Sequence, residues 1–395
     1  MAGLGLGDDT VRAELSLALI GKTAAAFGAI GFGALTPFAR DQFELSGFGV
    51  GAIVGLIFVG ALIATIPGGR ITDRVLPGHM LGATLIVQAL ALAAVAVAPT
   101  AAVFFLAIAI VGLAMGAGDP STNVLVSTNV TRRRRGLVMG IKQTGYTIGG
   151  ILGGLLLPSI AEATSWRIAV IVPIVACALA ALLGFRISGT RVTHDRHDRC
   201  EPVRATSLFG MGSYGFLMAG IQLSMVGLLA VYLVDQHDFS ATTAGLAIAV
   251  MLAGGTIGRV LWGILSDRLV HSRVVTLQLA AFGAGVALAV LSVIGAAVLL
   301  WVVLFVLGFC AIGWNTVYVT VAAESVLPAS VGRATGAALF FSYAGALAVP
   351  PLLGLIVDET DSWVVTWLIA AAVAAIALVA FTLASRRLES VPAAS

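Results

Sequence analysis

The sequence predicts an all-α membrane protein of twelve transmembrane helices, arranged as two pseudo-symmetric six-helix bundles. Three observations carry that prediction. Charged residues make up 10% of the 395 positions and hydrophobic ones 59%, with a mean hydropathy of +1.06; a soluble domain carries about 25% charge. Apolar runs of about 20 residues, the length needed to cross a bilayer, recur along the whole chain. Sequence patterns also repeat between the two halves, at offsets of 194, 196 and 197 residues.

The spans are read at 14–38, 47–68, 79–98, 101–129, 137–160, 167–187, 207–233, 242–265, 274–294, 298–322, 334–357 and 364–384. All are assigned as helices, because lipid cannot satisfy an open backbone and no alternating barrel pattern is present. Glycines spaced by four, such as Gly51/Gly55, Gly145/Gly149, Gly150/Gly154 and Gly254/Gly258, suit close helix packing where lipid supplies no hydrophobic drive. Between spans 6 and 7 lies the longest polar stretch, 188–206, read as a cytoplasmic linker between a bundle at 1–187 and a bundle at 207–395. Its His194, His197 and Cys200 match no familiar metal-ligand spacing, so a solvated linker is the better reading.

Arginine placement sets the orientation. With the N-terminus inside, 17 of the 22 cations fall in cytoplasmic segments, and only Arg40 and Arg167 fall on the opposite side. That is a positive-inside pattern and places both termini in the cytoplasm, in a cell (inner) membrane. The basic clusters alternate with spans and lack interleaved aromatics, which excludes nucleic-acid binding. Cys177, Cys200 and Cys310 are scattered, so no disulfide framework or metal site is read from them.

The internal repeat is explicit. GRITDR (69–74) after span 2 matches GILSDR (263–268) after span 8, Gly140 matches Gly336, and Ser165-Trp166 matches Ser362-Trp363. Duplicated six-helix halves within one chain are a transporter architecture. On the loop GGRITDRVLPGH (68–79), its weaker copy GILSDRLVHSR (263–273) and the duplication, the chain resembles the major facilitator superfamily of secondary transporters. Gly69, Asp73, Arg74 and Gly78 match that family's loop motif, whereas His79 and Met80 replace its basic pair. The resemblance implies a gating role for Gly69, Asp73 and Arg74 and for their counterparts Asp267 and Arg268. Asp73 could pair with arginines or cap a neighbouring helix in one conformation only. A topogenic charge cluster is the blander alternative.

Charges at membrane depth are costly and are functional candidates by default. Arg259 lies eight residues before Asp267, or about 12 Å from the cytoplasmic end of span 8. Its planar fork suits a carboxylate. Its surroundings, GGTIGRVLWGILSDR (254–268), are similar to span 8 of monocarboxylate and oxalate/formate-type facilitators. The second arginine of nitrate carriers is absent, since the equivalent position holds Thr65. Asp119 in GLAMGAGDPSTN (112–123) is the candidate proton carrier, with a salt bridge to Lys22 or Arg259 as the alternative. Lys22 is a cavity candidate, and Lys142 is assigned with Glu324 to an inner gate. Tyr146, Asn123, Tyr232, Asn315, Tyr318 and Tyr343 are candidates to orient a small polar substrate, although each alone is more often a helix-packing contact.

There is no Walker loop, no serine–histidine or paired-carboxylate constellation, and no cofactor site, so no enzyme is expected. The reading is a monomeric, proton-coupled carrier of a small organic anion in the lipid bilayer, working by alternating access. The alternative is a proton-coupled drug exporter. Such exporters carry a span-5 motif ending in Gly-Pro-x-x-Gly-Gly, and this chain has Gly145, Gly149 and Gly150 but Tyr146 in place of the proline. That departure disfavours export.

Overall fold

The structure, a computed structural model, describes residues 9–72, 74–127, 132–187, 205–268, 270, 272–295, 297–324 and 331–389. Asp73 and most of the linker lie outside them, as do the side chains of Asp267, Arg268 and Glu324. Every element among the described residues is helical. Twelve helical segments are long and apolar enough to cross a membrane: Arg12–Phe43, Gly47–Thr72, Pro77–Val97, Ala101–Val126, Ile141–Ala163, Trp166–Ile187, Gly210–His237, Ala241–Ser266, Arg273–Leu291, Val298–Ala322, Ala338–Thr360 and Trp363–Ser385. They coincide with the twelve expected spans and keep those numbers below. Large apolar side chains such as Leu90, Leu106, Leu179, Phe282, Val298 and Ile376 stand exposed on them, as a lipid-facing surface requires.

The chain packs as two units. Unit 1 comprises Met1–Glu44, Leu56–His194 and Leu233–Ala249; unit 2 comprises Leu45–Gly55, Asp195–Tyr232 and Val250–Ser395. In unit 1, span 1 runs along spans 5 and 6, and span 3 packs on spans 4 and 6. In unit 2, span 9 packs on spans 10 and 12. Glycine makes these approaches possible. A Cβ at Gly149 would sit 2.5 Å from the Thr23 carbonyl oxygen and one at Gly153 only 2.1 Å from the Gly31 Cα, so span 5 lies directly on the span 1 backbone.

Two spans are not the continuous helices the sequence suggested. Span 1 stops at Ala29, passes through a 3-10 turn at Gly31–Leu35 and resumes at Thr36–Phe43. Pro37 at the start of the second piece has no N–H to continue the ladder, and Thr36 Oγ1 donates to Gly33 O at 2.8 Å. Span 10 breaks between Ala297–Ala311 and Asn315–Glu324. Carbonyls near the break must find donors, because the apolar surroundings offer no water. Two indoles supply them: Trp314 Nε1 donates to Ala311 O and Trp262 Nε1 to Phe309 O, both at 2.9 Å.

The tightest helix crossing is between spans 8 and 10, where a Cβ on Gly308 would lie 1.7 Å from the Met251 carbonyl oxygen. Backbone cannot yield as a flexible side chain can. Gly308→Ala is therefore expected to destabilise by about 3 kcal/mol. Gly263, with nothing within 4 Å of its added Cβ, is the internal control: Gly263→Ala should be neutral or stabilising. Thermal unfolding of the purified protein separates the two.

Candidate functional site

Three helices of unit 1 bring together five of the residues singled out from sequence. Asp119 and Asn123 lie one turn apart on span 4, Lys142 and Tyr146 one turn apart on span 5, and Lys22 on span 1. The Lys22 ammonium forms an ion pair with the Asp119 carboxylate, with 7% of the lysine side chain and 21% of the aspartate side chain exposed. The same ammonium lies 5.7 Å from the centre of the Tyr146 ring, within cation–π range. Gly145 makes this approach possible, because a Cβ there would stand 3.2 Å from Lys22 Cβ and 3.0 Å from the Leu19 carbonyl.

Lys142 is fully buried and reaches back to span 4, where its ammonium donates to Asn123 Oδ1 and, at 3.3 Å, to Thr122 Oγ1. Thr122 in turn donates to the Asp119 carbonyl at 2.8 Å. Both acceptors of Lys142 are neutral dipoles, and no carboxylate lies within ion-pairing distance of it among the described residues. The cluster therefore holds two ammonium groups and one carboxylate, with Asp119 and Asn123 open to the surroundings on one side. A buried cation whose direct hydrogen-bond acceptors are both neutral is an attractive seat for an anion. Lys142, expected at an inner gate, thus lies in the same cluster as Asp119.

The glycine frame of span 5 also acquires a physical reason here. Gly145 and Gly149 face the backbone of span 1, and this contact sets Lys22 beside Tyr146. Gly69 of the loop motif lies 3.9 Å, measured from an added Cβ, from the ring of Pro120, the residue after Asp119. Arg74 is exposed. Glu14, a fully buried carboxylate two turns before Lys22, escaped the sequence reading. Its place on the i, i+4, i+8 ridge with Ala18 and Lys22 is the signal that could have found it.

Unit 2 holds the remaining candidates. Arg259 is half-buried in mid-span 8, directly after Gly258. An added Cβ on Gly313, in the span 10 break, would come within 2.8 Å of the Gly258 carbonyl carbon. Arg259 and Asn315, the first residue of the second piece of span 10, are therefore at one level of adjacent helices. Tyr343 is half-buried on span 11.

Two tyrosines expected to face substrate do not. The Tyr232 hydroxyl donates to Leu291 O at 2.9 Å and the Tyr318 hydroxyl to Ala338 O at 3.0 Å, and both side chains are buried. The Tyr232 ring meets Trp363 and Trp367 edge-on, and the Tyr318 ring stacks on Tyr214 and meets Trp314 edge-on. A tyrosine buried in an apolar core needs a partner for its hydroxyl, and these two find it in the main chain.

The profile of the Major Facilitator Superfamily matches residues 18–350 and 211–395. The chain belongs to that superfamily. It is a multi-pass membrane protein, with twelve membrane-length helical segments among the described residues. An uncharacterised superfamily member of Mycobacterium tuberculosis is 29% identical over 65% of this chain, which spans 59% of that relative's length. The hexuronate transporter of Bacillus subtilis is 23% identical over 87% of each chain. The gentisate transporter of Corynebacterium glutamicum is 26% identical over 82% of this chain and 76% of its own. Among solved structures, a bacterial homologue of the human lysosomal transporter Spinster superposes with a TM-score of 0.82 at 14% identity, covering 96% of this chain and 98% of that one. The last likeness concerns the fold alone.

Proposed function

We propose that this superfamily member is a proton-coupled carrier of small organic anions, most simply monocarboxylates, working by alternating access. The single observation that carries the reading is the cluster of Lys22, Asp119 and Lys142, which has one more positive charge than negative. Hexuronates and gentisate, the ligands named for two relatives, are carboxylates, and this supports the same substrate class.

The coupling follows from the ion pair. While Asp119 is ionised, it occupies Lys22. A proton on Asp119 removes the attraction and frees the Lys22 ammonium for the substrate carboxylate, next to Lys142. Proton and anion then bind best together, and by linkage each raises the affinity for the other. Their joint passage adds no net charge to the loaded cluster. Tyr146 and Asn123, at its edge, would orient the rest of the substrate. Export of amphipathic compounds is not favoured, because Tyr146 stands where the exporter motif has its proline and lies beside the Lys22 ammonium.

The test is uptake of labelled mono- and dicarboxylates into proteoliposomes with an imposed pH gradient. Uptake of a carboxylate that rises with inward proton force supports the reading; carboxylates neither bound nor moved would overturn it. Arg259 is a separate proposal within unit 2, as a further anion contact. Arg259→Ala is expected to lower the apparent affinity for the carboxylate about tenfold or more while the protein still folds. Uptake at wild-type affinity would remove Arg259 from the site. The cytoplasmic termini and the gating roles of Gly69, Asp73, Arg74, Asp267, Arg268 and Glu324 remain part of the proposal. Accessibility of cysteines placed at the termini and along the two loops would test them.

A further inference from the structure

Two carboxylates at equivalent positions of the repeat make the same contact. Glu162, at the end of span 5, accepts from the Thr242 amide at 2.9 Å and from the Thr242 hydroxyl, at the start of span 8. Asp358, at the end of span 11, accepts from the Gly47 and Phe48 amides at 2.6 and 2.8 Å, at the start of span 2. Glu162 and Asp358 are 196 residues apart, and Thr242 and Gly47 are 195 apart, which is the spacing of the internal duplication. The first pair lies within unit 1 and the second within unit 2. Each carboxylate satisfies amides that a helix start leaves without intrahelical partners, and each sits at the positive end of the helix dipole.

The helix faces beneath the two contacts are duplicated as well. In unit 1, Gly245 lies against the span 5 backbone, with an added Cβ 2.3 Å from Gly154 O and 2.6 Å from Pro158 Cγ. In unit 2, Gly51 lies against span 11, with an added Cβ 2.3 Å from Pro350 O. Gly245 corresponds to Gly51 at an offset of 194, and Gly154 to Pro350 at 196. A third polar contact lies at the same ends of the helices: Arg40, at the end of span 1, forks Asp235, at the end of span 7, at 2.6 and 2.9 Å within unit 1. The arginine distribution assigns this face to the outside.

We propose that Glu162 and Asp358 are a duplicated latch, holding span 8 to span 5 and span 2 to span 11, which must release for this face to open. The inference rests on the alternating-access reading above. Its chemistry suits a reversible catch. Both carboxylates are exposed, so water can take over their hydrogen bonds as the amides withdraw, whereas the glycine contacts beneath are close backbone approaches. The duplication makes release a paired event, one catch on each repeat.

The experiment reads opening directly and uses no substrate. Reporter cysteines replace Ala249, 4% exposed beside Gly154, and Val54, 3% exposed beside Gly227, in protein whose native cysteines are changed to alanine. The purified protein in detergent is titrated with a polar maleimide. Glu162→Ala should speed labelling of Ala249→Cys roughly tenfold, and Asp358→Ala should do the same for Val54→Cys. The amide pair Glu162→Gln/Asp358→Asn, which keeps an acceptor without the charge, should give a smaller rise, and it carries the test if the alanine variants do not fold. Unchanged labelling in the alanine variants, or in the amide pair where those do not fold, would overturn the latch. So would an equal rise at Ser266→Cys, a buried reporter at the opposite end of span 8, because that would show general loosening. Since no anion is added, failure of the substrate reading leaves this result standing, and failure of the latch leaves anion uptake unaffected.

Discussion

Asp119→Asn is expected to abolish proton-driven accumulation while leaving exchange of carboxylate across the membrane intact. Asparagine has the shape of the protonated acid and cannot take the charge that engages Lys22 in the ion pair. The variant is therefore fixed in the form proposed to bind anion. On the proposed coupling, anion binding by the native protein should weaken as pH rises and strengthen as pH falls, because the Lys22–Asp119 pair competes with the anion. In the variant that dependence should flatten, with affinity at alkaline pH at or above the native value. For one proton per anion, a pH difference of one unit supports about a tenfold concentration ratio. The native protein should approach that ratio and Asp119→Asn should remain near unity. Counterflow of labelled anion is the companion measurement, since it needs no proton gradient. Accumulation that persists in the variant would remove Asp119 from the coupling, and loss of both accumulation and counterflow would point to a structural role for the pair.

The fold was legible because the signals that specify it are long. Twenty-residue apolar runs, arginines gathered on one side and a motif repeated at a near-constant offset are each spread over many residues, and errors at single positions do not disturb them. The breaks in spans 1 and 10 were not legible from apolarity, because Gly31-Phe32-Gly33 and Ile312-Gly313-Trp314 are as apolar as their surroundings. At span 1 the break is held by Pro37 and the Thr36 hydroxyl, and at span 10 by two indole donors, of which Trp262 comes from neighbouring span 8. The site was legible in part for a similar reason. The scarcity of charge in the spans singled out Lys22, Asp119 and Lys142 and offered Lys22 as one partner for Asp119, but it takes the packing of spans 1, 4 and 5 to show that Lys142 belongs to the same cluster. Tyrosines carried no such information. A hydroxyl in an apolar span reads the same whether it faces a ligand or, as in Tyr232 and Tyr318, a main-chain carbonyl of a neighbouring helix.

The same cluster fixes what Lys142 should do. Lys142 is 3% exposed, its ammonium is held by Asn123 and Thr122, and among the described residues no carboxylate lies within ion-pairing distance of it, so its charge sits where burial costs stability. A lysine serving only to join spans 4 and 5 would do so as well without its charge. Lys142→Gln keeps a donor of similar reach and removes the charge. If Lys142 seats the substrate carboxylate, the variant should lose about 2 kcal/mol of anion binding, roughly a thirtyfold rise in KM. Its melting temperature should stay level or rise, because a buried cation with no direct ion pair among the described residues has gone. A purely structural role predicts the reverse, a lower melting temperature with KM unchanged. Lys142→Arg sharpens the distinction: it preserves charge but not shape, so it should recover part of the affinity if charge is what the site uses, and none if helix packing is. Measuring KM and melting temperature on the same preparations decides between the two roles, since they move the two quantities in opposite directions.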